Sequence, residues 1–100
     1  MNPPATLDEI KAELRALLPE LRRRWPISYL GVFGSWVRGE QRPDSDLDLL
    51  VDFDGPLPGW GEIDLEIELS DRLGHKVDLV PRRQLKPFIG ARIRREVEPL

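Results

Sequence analysis

There is no cysteine in these 100 residues, so neither a disulfide nor a thiolate zinc site is open to the chain. No apolar run approaches the roughly 18 residues that a membrane-spanning helix needs. The first residues also lack the charged-then-apolar pattern of a secretory leader. Charge of one sign is not in excess: 15 basic residues stand against 18 acidic ones, for a net charge of −3. That balance argues against a general nucleic-acid binder, which is usually basic. No internal repeat or low-complexity tract is present. A chain of this length is expected to form one domain, residues 1–100, with a modest core that can lean on a partner for stability. The expected setting is the cytoplasm.

What is there is a spacing. Gly34-Ser35 is followed ten residues later by Asp46-Leu47-Asp48. The run before it, Ser28 to Phe33, and the run after it, Leu47 to Phe53, both read as strands. A small-residue turn thus sits at one strand's end, and two carboxylates sit at the start of the next. In a strand, residues two apart point to the same face, roughly 6–7 Å apart along the chain, so Asp46 and Asp48 project together. Two divalent ions about 3.5–4 Å apart fit between such carboxylates and the phosphates of a nucleotide. Hard Mg²⁺ favours these oxygen donors. Gly34 allows close backbone approach to a phosphate. Ser35 adds a hydroxyl and, if it opens a short helix, an N–H at the positive helix end. Arg38 can reach the same phosphates as a fork donor.

A third acid is available. His75 to Val80 reads as another strand, with Val77 and Leu79 toward the core and Asp78 on the other face. In the second strand Leu47, Leu49, Val51 and Phe53 share one face, while Asp46, Asp48 and Asp52 share the other. A sheet face carrying several acids is costly unless cations neutralise it.

Gly-Ser, ten residues, Asp-x-Asp and a later strand Asp together resemble the minimal nucleotidyltransferase (MNT) family of the DNA polymerase β-like superfamily. The likeness spans roughly residues 7 to 97, and Gly34, Ser35, Arg38, Gly39, Ser45, Asp46 and Asp48 fall on the family pattern. The resemblance implies an α/β (α+β) fold, a small mixed sheet with helices packed on one face. It implies a nucleotidyltransferase that uses two Mg²⁺ ions and ATP. Asp46, Asp48 and Asp78 would be catalytic and metal-binding, and Gly34, Ser35 and Arg38 would hold the nucleotide. It also implies a partner, because such chains are typically encoded beside a small helical HEPN protein, a toxin to which the antitoxin adds AMP. The alternatives are a non-catalytic module that neutralises a toxin by occlusion, or a catalytic subunit acting on a small molecule or RNA end with a separate acceptor subunit. A homo-oligomer is a further possibility.

The remaining elements follow from pattern. Thr6 and Glu9 form a capping-box pattern, and apolar residues from Leu7 to Trp25 recur at helical spacing. Pro19 predicts a kink or two abutting helices near Leu18. The spacing predicts a helix over 35–38 and a polar loop over 39–45. Residues 54–61 form a turn-rich connection. Residues 62–73 alternate like a strand, yet Leu65, Leu69 and Leu73 also form a helical row, and Gly74 is a good stop. Helix is the expectation, since it supplies a crossover. A last helix is expected over 87–95, and Pro99 confines any final strand to an edge. On the 62–73 helix, Trp60, Ile63 and Ile67 fall opposite the Leu row and are expected to meet a partner chain.

Each singled-out residue also has a plainer role. Ser35 can be a helix cap, and Arg38 a local salt bridge. Asp52 is expected to be solvated, Asp44 to belong to the loop turn, Trp36 to pack, and His75 to be a turn residue. The Arg22–Arg24 run and Arg92, Arg94 and Arg95 are expected to be solvated faces.

Overall fold

The computed structural model describes residues 3–57 and 59–100. Helix α1, Leu7–Arg24, opens as expected: the Glu9 amide donates to the Thr6 hydroxyl oxygen at 3.2 Å, a cap of about 1 kcal/mol. Ile10, Leu14 and Leu21 are its buried face. Two abutting helices, one of the two expectations at Pro19, do not form: α1 is a single helix that runs through it. Pro19 lies on the exposed side, where water can satisfy the carbonyl that lost its amide partner.

Three strands and a short fourth form one sheet, β1 (Ile27–Phe33), β2 (Leu47–Phe53), β3 (Val77–Pro81) and β4 (Glu98–Pro99). The spatial order is β3-β2-β1-β4. β1 runs antiparallel to β2 and β4, and β2 runs parallel to β3. The antiparallel pair is joined through the one-turn helix α2, Ser35–Arg38, and its following loop. The parallel pair needs a crossover, which is helix α3, Gly61–Leu73. Thus 62–73 is helical, and Gly74 ends it in the left-handed conformation at φ 70°. The 54–61 connection includes Pro58, which lies outside the described residues; beside it, Leu57 packs on the core.

The main core lies between α1, α3 and one sheet face. Leu30 and Val32 of β1, Leu47, Leu49 and Val51 of β2, and Val77 and Leu79 of β3 meet Leu65, Leu69 and Leu73 of α3 there. Trp36 joins this core, 2% exposed, as its packing role required. Trp60, Ile63 and Ile67 are exposed, so the Leu row is the buried side. β3 is an edge strand, and α3 covers its open amides. Glu66 accepts from the Leu79 amide at 2.8 Å and the Ser70 hydroxyl accepts from the Val77 amide at 3.0 Å, which blocks strand addition at that edge.

The mixed sheet is the expected one, but its helices are not confined to one face. Helix α4, Pro87–Glu96, lies across the other. There Ile93 packs with Phe33 and Leu50, flanked by Tyr29, Val80, Leu85 and Val97. Leu50 sits between Asp48 and Asp52 in sequence and shares their face, so that face is apolar in the middle and acidic at the ends. Asp52 is accordingly not free in solvent: it pairs with Arg82 at 3.6 Å, and Arg82 stacks over Tyr29 at 4.1 Å.

Candidate active site

The expected carboxylates gather where β1 ends and β2 and β3 begin. Register places Phe33 opposite Asp48, and Asp48 beside Asp78. Asp46 precedes β2 by one residue and is exposed, with Lys76 Nζ 4.0 Å from its Oδ2. Asp78 is exposed and Asp48 half-buried. Asp48 is therefore the centre of the group, with Gly34 on one side and Asp78 on the other.

Gly34 has a role beyond backbone approach to a ligand. Its φ is 83°, a conformation that side chains resist. A Cβ there would stand 2.2 Å from Asp48 Oδ2. The glycine leaves the space that the Asp48 carboxylate fills. Ser35 opens α2, and its carbonyl accepts the Glu40 amide at 2.9 Å. Ser45 closes the polar loop, its hydroxyl accepting the Arg42 amide at 2.8 Å.

Arg38 lies against acids in this structure. Nη1 donates to Glu96 Oε1 at 2.5 Å and Nε donates to Glu40 Oε2 at 3.3 Å. The Gly34 amide donates to Glu96 Oε2 at 3.1 Å. Glu96 is a site residue that sequence reasoning missed, and Arg92 is a second. Both line a cleft of about 250 Å³ with Gly34, Arg38, Asp48 and Ile93. One signal was available: Glu96 is an acid in the last turn of α4, where the helix dipole disfavours negative charge. Such an acid needs a donor elsewhere.

Burial pushes the Asp48 carboxyl up to about 6, helped by repulsion from Asp78, Asp46 and Glu96 and opposed by Arg38. Glu96 and Glu40 raise Arg38 above its ordinary value, so it stays charged. Among the described residues, no three acidic, imidazole or thiol side chains form a closed metal cage. The donor chemistry still fits a hard cation. Carboxylates repel one another at the junction of three strands, on one open side, and further oxygen ligands are needed to complete a shell. A cleft of about 500 Å³ beside Pro56, Trp60 and Ile63 is larger than the one at Asp48 but holds none of these aspartates, so chemistry and not size marks the site. His75 and Trp36 are outside it: His75 Nε2 lies 2.5 Å from the Pro4 carbonyl, and its ring meets Trp36 edge-on.

Comparison with known proteins agrees with this geometry. Residues 14–98 match the nucleotidyltransferase domain family. The protein adenylyltransferase MntA of Thermococcus cleftensis is 47% identical over 92 residues, covering 92% of this chain and 93% of that protein. A solved structure provisionally described as a minimal nucleotidyltransferase superposes with a TM-score of 0.81 at 38% identity, covering 96% of this chain and 97% of the other. A chain from the complex of tri-AMPylated Shewanella oneidensis HEPN toxin with MNT antitoxin superposes with a TM-score of 0.66, covering 90% of this chain and 70% of that one. At 20% identity that last likeness speaks for the fold. A family match over most of the chain, and a near full-length relative of high identity, agree with the Gly34–Asp48 junction: the chain belongs to the nucleotidyltransferase family, in its minimal branch, and is a nucleotidyltransferase.

Proposed function

We propose that this protein transfers AMP from ATP to a hydroxyl group on a helical HEPN-type partner and acts as the antitoxin of that pair, in the cytoplasm and as a single catalytic domain. The observation that carries the chemistry is Asp48, set against Gly34 between Phe33 and Asp78. The likeness to an adenylyltransferase supports the choice of AMP. The helical partner is supported by the fold shared with an antitoxin solved with its toxin.

In this reading Asp46, Asp48 and Asp78 hold Mg²⁺, and the Gly34 amide, Ser35 and Arg38 hold the triphosphate. Bound magnesium supplies charge neutralisation and eases deprotonation of the attacking hydroxyl. The acceptor oxygen forms a bond to the α-phosphorus, and the bond from that phosphorus to the bridging oxygen of the β-phosphate breaks. Pyrophosphate leaves with the bond's electrons. Asp78, an exposed acid in β3 beside Asp48, accepts the hydroxyl proton. The chain's contribution is position and fixed charge, which dominate such transfers.

The test is incubation with ATP labelled at the α-phosphate, Mg²⁺ and the protein encoded by the neighbouring gene. Label on the partner, lost in Asp46→Asn, is expected. Label on RNA or a small molecule transfers the proposal to another acceptor. No label anywhere, with tight binding of the partner, leaves neutralisation by occlusion.

A further inference from the structure

Glu96 contradicts its own surroundings. It ends α4 at the negative end of the helix dipole, in a turn that also holds Arg94 and Arg95. An unanchored acid there would turn outward to solvent or to those arginines. Its side chain is instead only 16% exposed. One oxygen accepts the Gly34 amide and the other accepts Arg38 Nη1. A backbone amide and a guanidinium fork bind carboxylate and phosphate oxygens alike. These two donors are also the ones that the preceding reading gives to the triphosphate.

The backbone behind Glu96 is anchored. Glu98 and Pro99 pair with Val32 and Gly31. Glu98 also accepts from Lys11 Nζ at 3.2 Å. A Cβ on Gly31 would come within 2.7 Å of Val97 Cγ2, so the absence of a side chain at Gly31 lets the segment after Glu96 close on β1. The carboxylate is thus presented from a fixed position. Leaving the donors requires only rotation of its own side chain. Arg92, one turn earlier on α4 and lining the same cleft, is spaced to receive it.

We infer that Glu96 is an internal occupant of the phosphate site, holding the Gly34 amide and Arg38 in the nucleotide-free protein until a polyphosphate displaces it. This rests on the assignment of Gly34 and Arg38 to phosphate binding. One consequence follows from charge. A carboxylate with one negative charge yields to a polyphosphate with several, yet competes well against a single phosphate. The site therefore selects for a polyphosphate over a single phosphate.

The test is calorimetric titration with magnesium tripolyphosphate, at fixed ionic strength, on the wild type and on E96Q, R38A and E40Q, each checked by thermal melting. An occupied fraction lowers apparent affinity in proportion, so E96Q is expected to bind about threefold tighter or more. R38A should bind more weakly. E40Q removes the other acid on Arg38 without touching Gly34, and it should stay within about twofold of wild type. E96Q binding no tighter than wild type, or E40Q tightening as much as E96Q, overturns the inference while R38A still upholds the phosphate site. Equal binding by R38A and wild type overturns the phosphate assignment and the inference with it. A second readout needs no variant: on titration of the wild type, the Glu96 side-chain carboxyl ¹³C resonance and the Gly34 amide should shift together. A Gly34 shift with Glu96 unmoved overturns the inference even if E96Q fails to fold.

Discussion

Asp48 is the residue on which fold and chemistry conflict. Its pKa is raised by burial and by neighbouring acids, so the folded state holds its proton more tightly than the unfolded chain does. The sign follows from linkage: between about pH 4 and 6 folding binds a proton, and stability falls as pH rises through that window. Above it the ionised carboxylate is a standing cost, about 1 kcal/mol once solvent screening of this half-buried group is allowed for. Asp48→Asn is therefore expected to melt several degrees higher than wild type at pH 7 in EDTA. It should lack the wild-type decline between pH 4 and 6, while transfer activity is lost. Equal melting temperatures across that range would remove the repulsion argument, and wild-type transfer by Asp48→Asn or Asp46→Asn would remove the metal assignment. Gly34→Ala tests the same crowding from the opposite side. A methyl group 2.2 Å from Asp48 Oδ2, at a φ of 83°, must displace either the carboxylate or the backbone. A loss of about 1–3 kcal/mol is expected, together with loss of transfer. Denaturant melts of this variant beside Gly39→Ala separate the two causes, since Gly39 also has positive φ but nothing within 4 Å.

At the scale of elements, legibility followed burial. Helix α3 could be recognised because Leu65, Leu69 and Leu73 repeat every fourth residue and Gly74 stops them, and all three leucines are fully buried. The same face assignment predicts a contrast. Leu65→Ala or Leu69→Ala should cost about 2–5 kcal/mol in urea unfolding. Ile63→Lys with Ile67→Lys, at positions 50% and 55% exposed, should change stability by only about 0.5 kcal/mol per site. A large loss in the double variant would mean that the exposed stripe is packed after all. The acids at the strand starts were legible too, because alternation alone sets their face. Two things were not. A proline in a long helix signals a lost hydrogen bond, but whether that loss faces water depends on which side packs, and in α1 the packing residues lie on the other side from Pro19. The second apolar cluster was hidden for a related reason: Leu50 sits among acids in sequence, and its partners Phe33 and Ile93 come from distant elements. Glu96 was lost with it, since its contacts lie 58 and 62 residues away.

At the scale of the whole molecule, the site exists only when the sheet is closed. Gly34 comes from the end of β1, Asp46 and Asp48 from the start of β2, Asp78 from the start of β3 and Glu96 from the end of α4, and no segment alone brings two of these groups of residues together. A ligand that binds here therefore binds the folded state and not the unfolded chain, and its binding energy adds to global stability. Mg²⁺ alone meets an open, incomplete set of carboxylates. On the proposed reading, the nucleotide alone would bring several negative charges toward acids that already repel one another, with Glu96 held on the Gly34 amide. Each should shift the melting temperature little by itself. On the proposed reading they would complete each other, phosphate oxygens filling the metal shell and the metal removing the repulsion. At about 100 times the dissociation constant the stabilisation is about 2.7 kcal/mol, which for a chain of this size is a shift on the order of 10 °C. Thermal scans with Mg²⁺, with ATP and with both should thus give a joint shift well beyond the sum of the separate ones. Asp46→Ala should reduce it to that sum. Simple additivity in the wild type, or an unchanged joint shift in Asp46→Ala, would place the two ligands at separate sites and undo the shared-site mechanism.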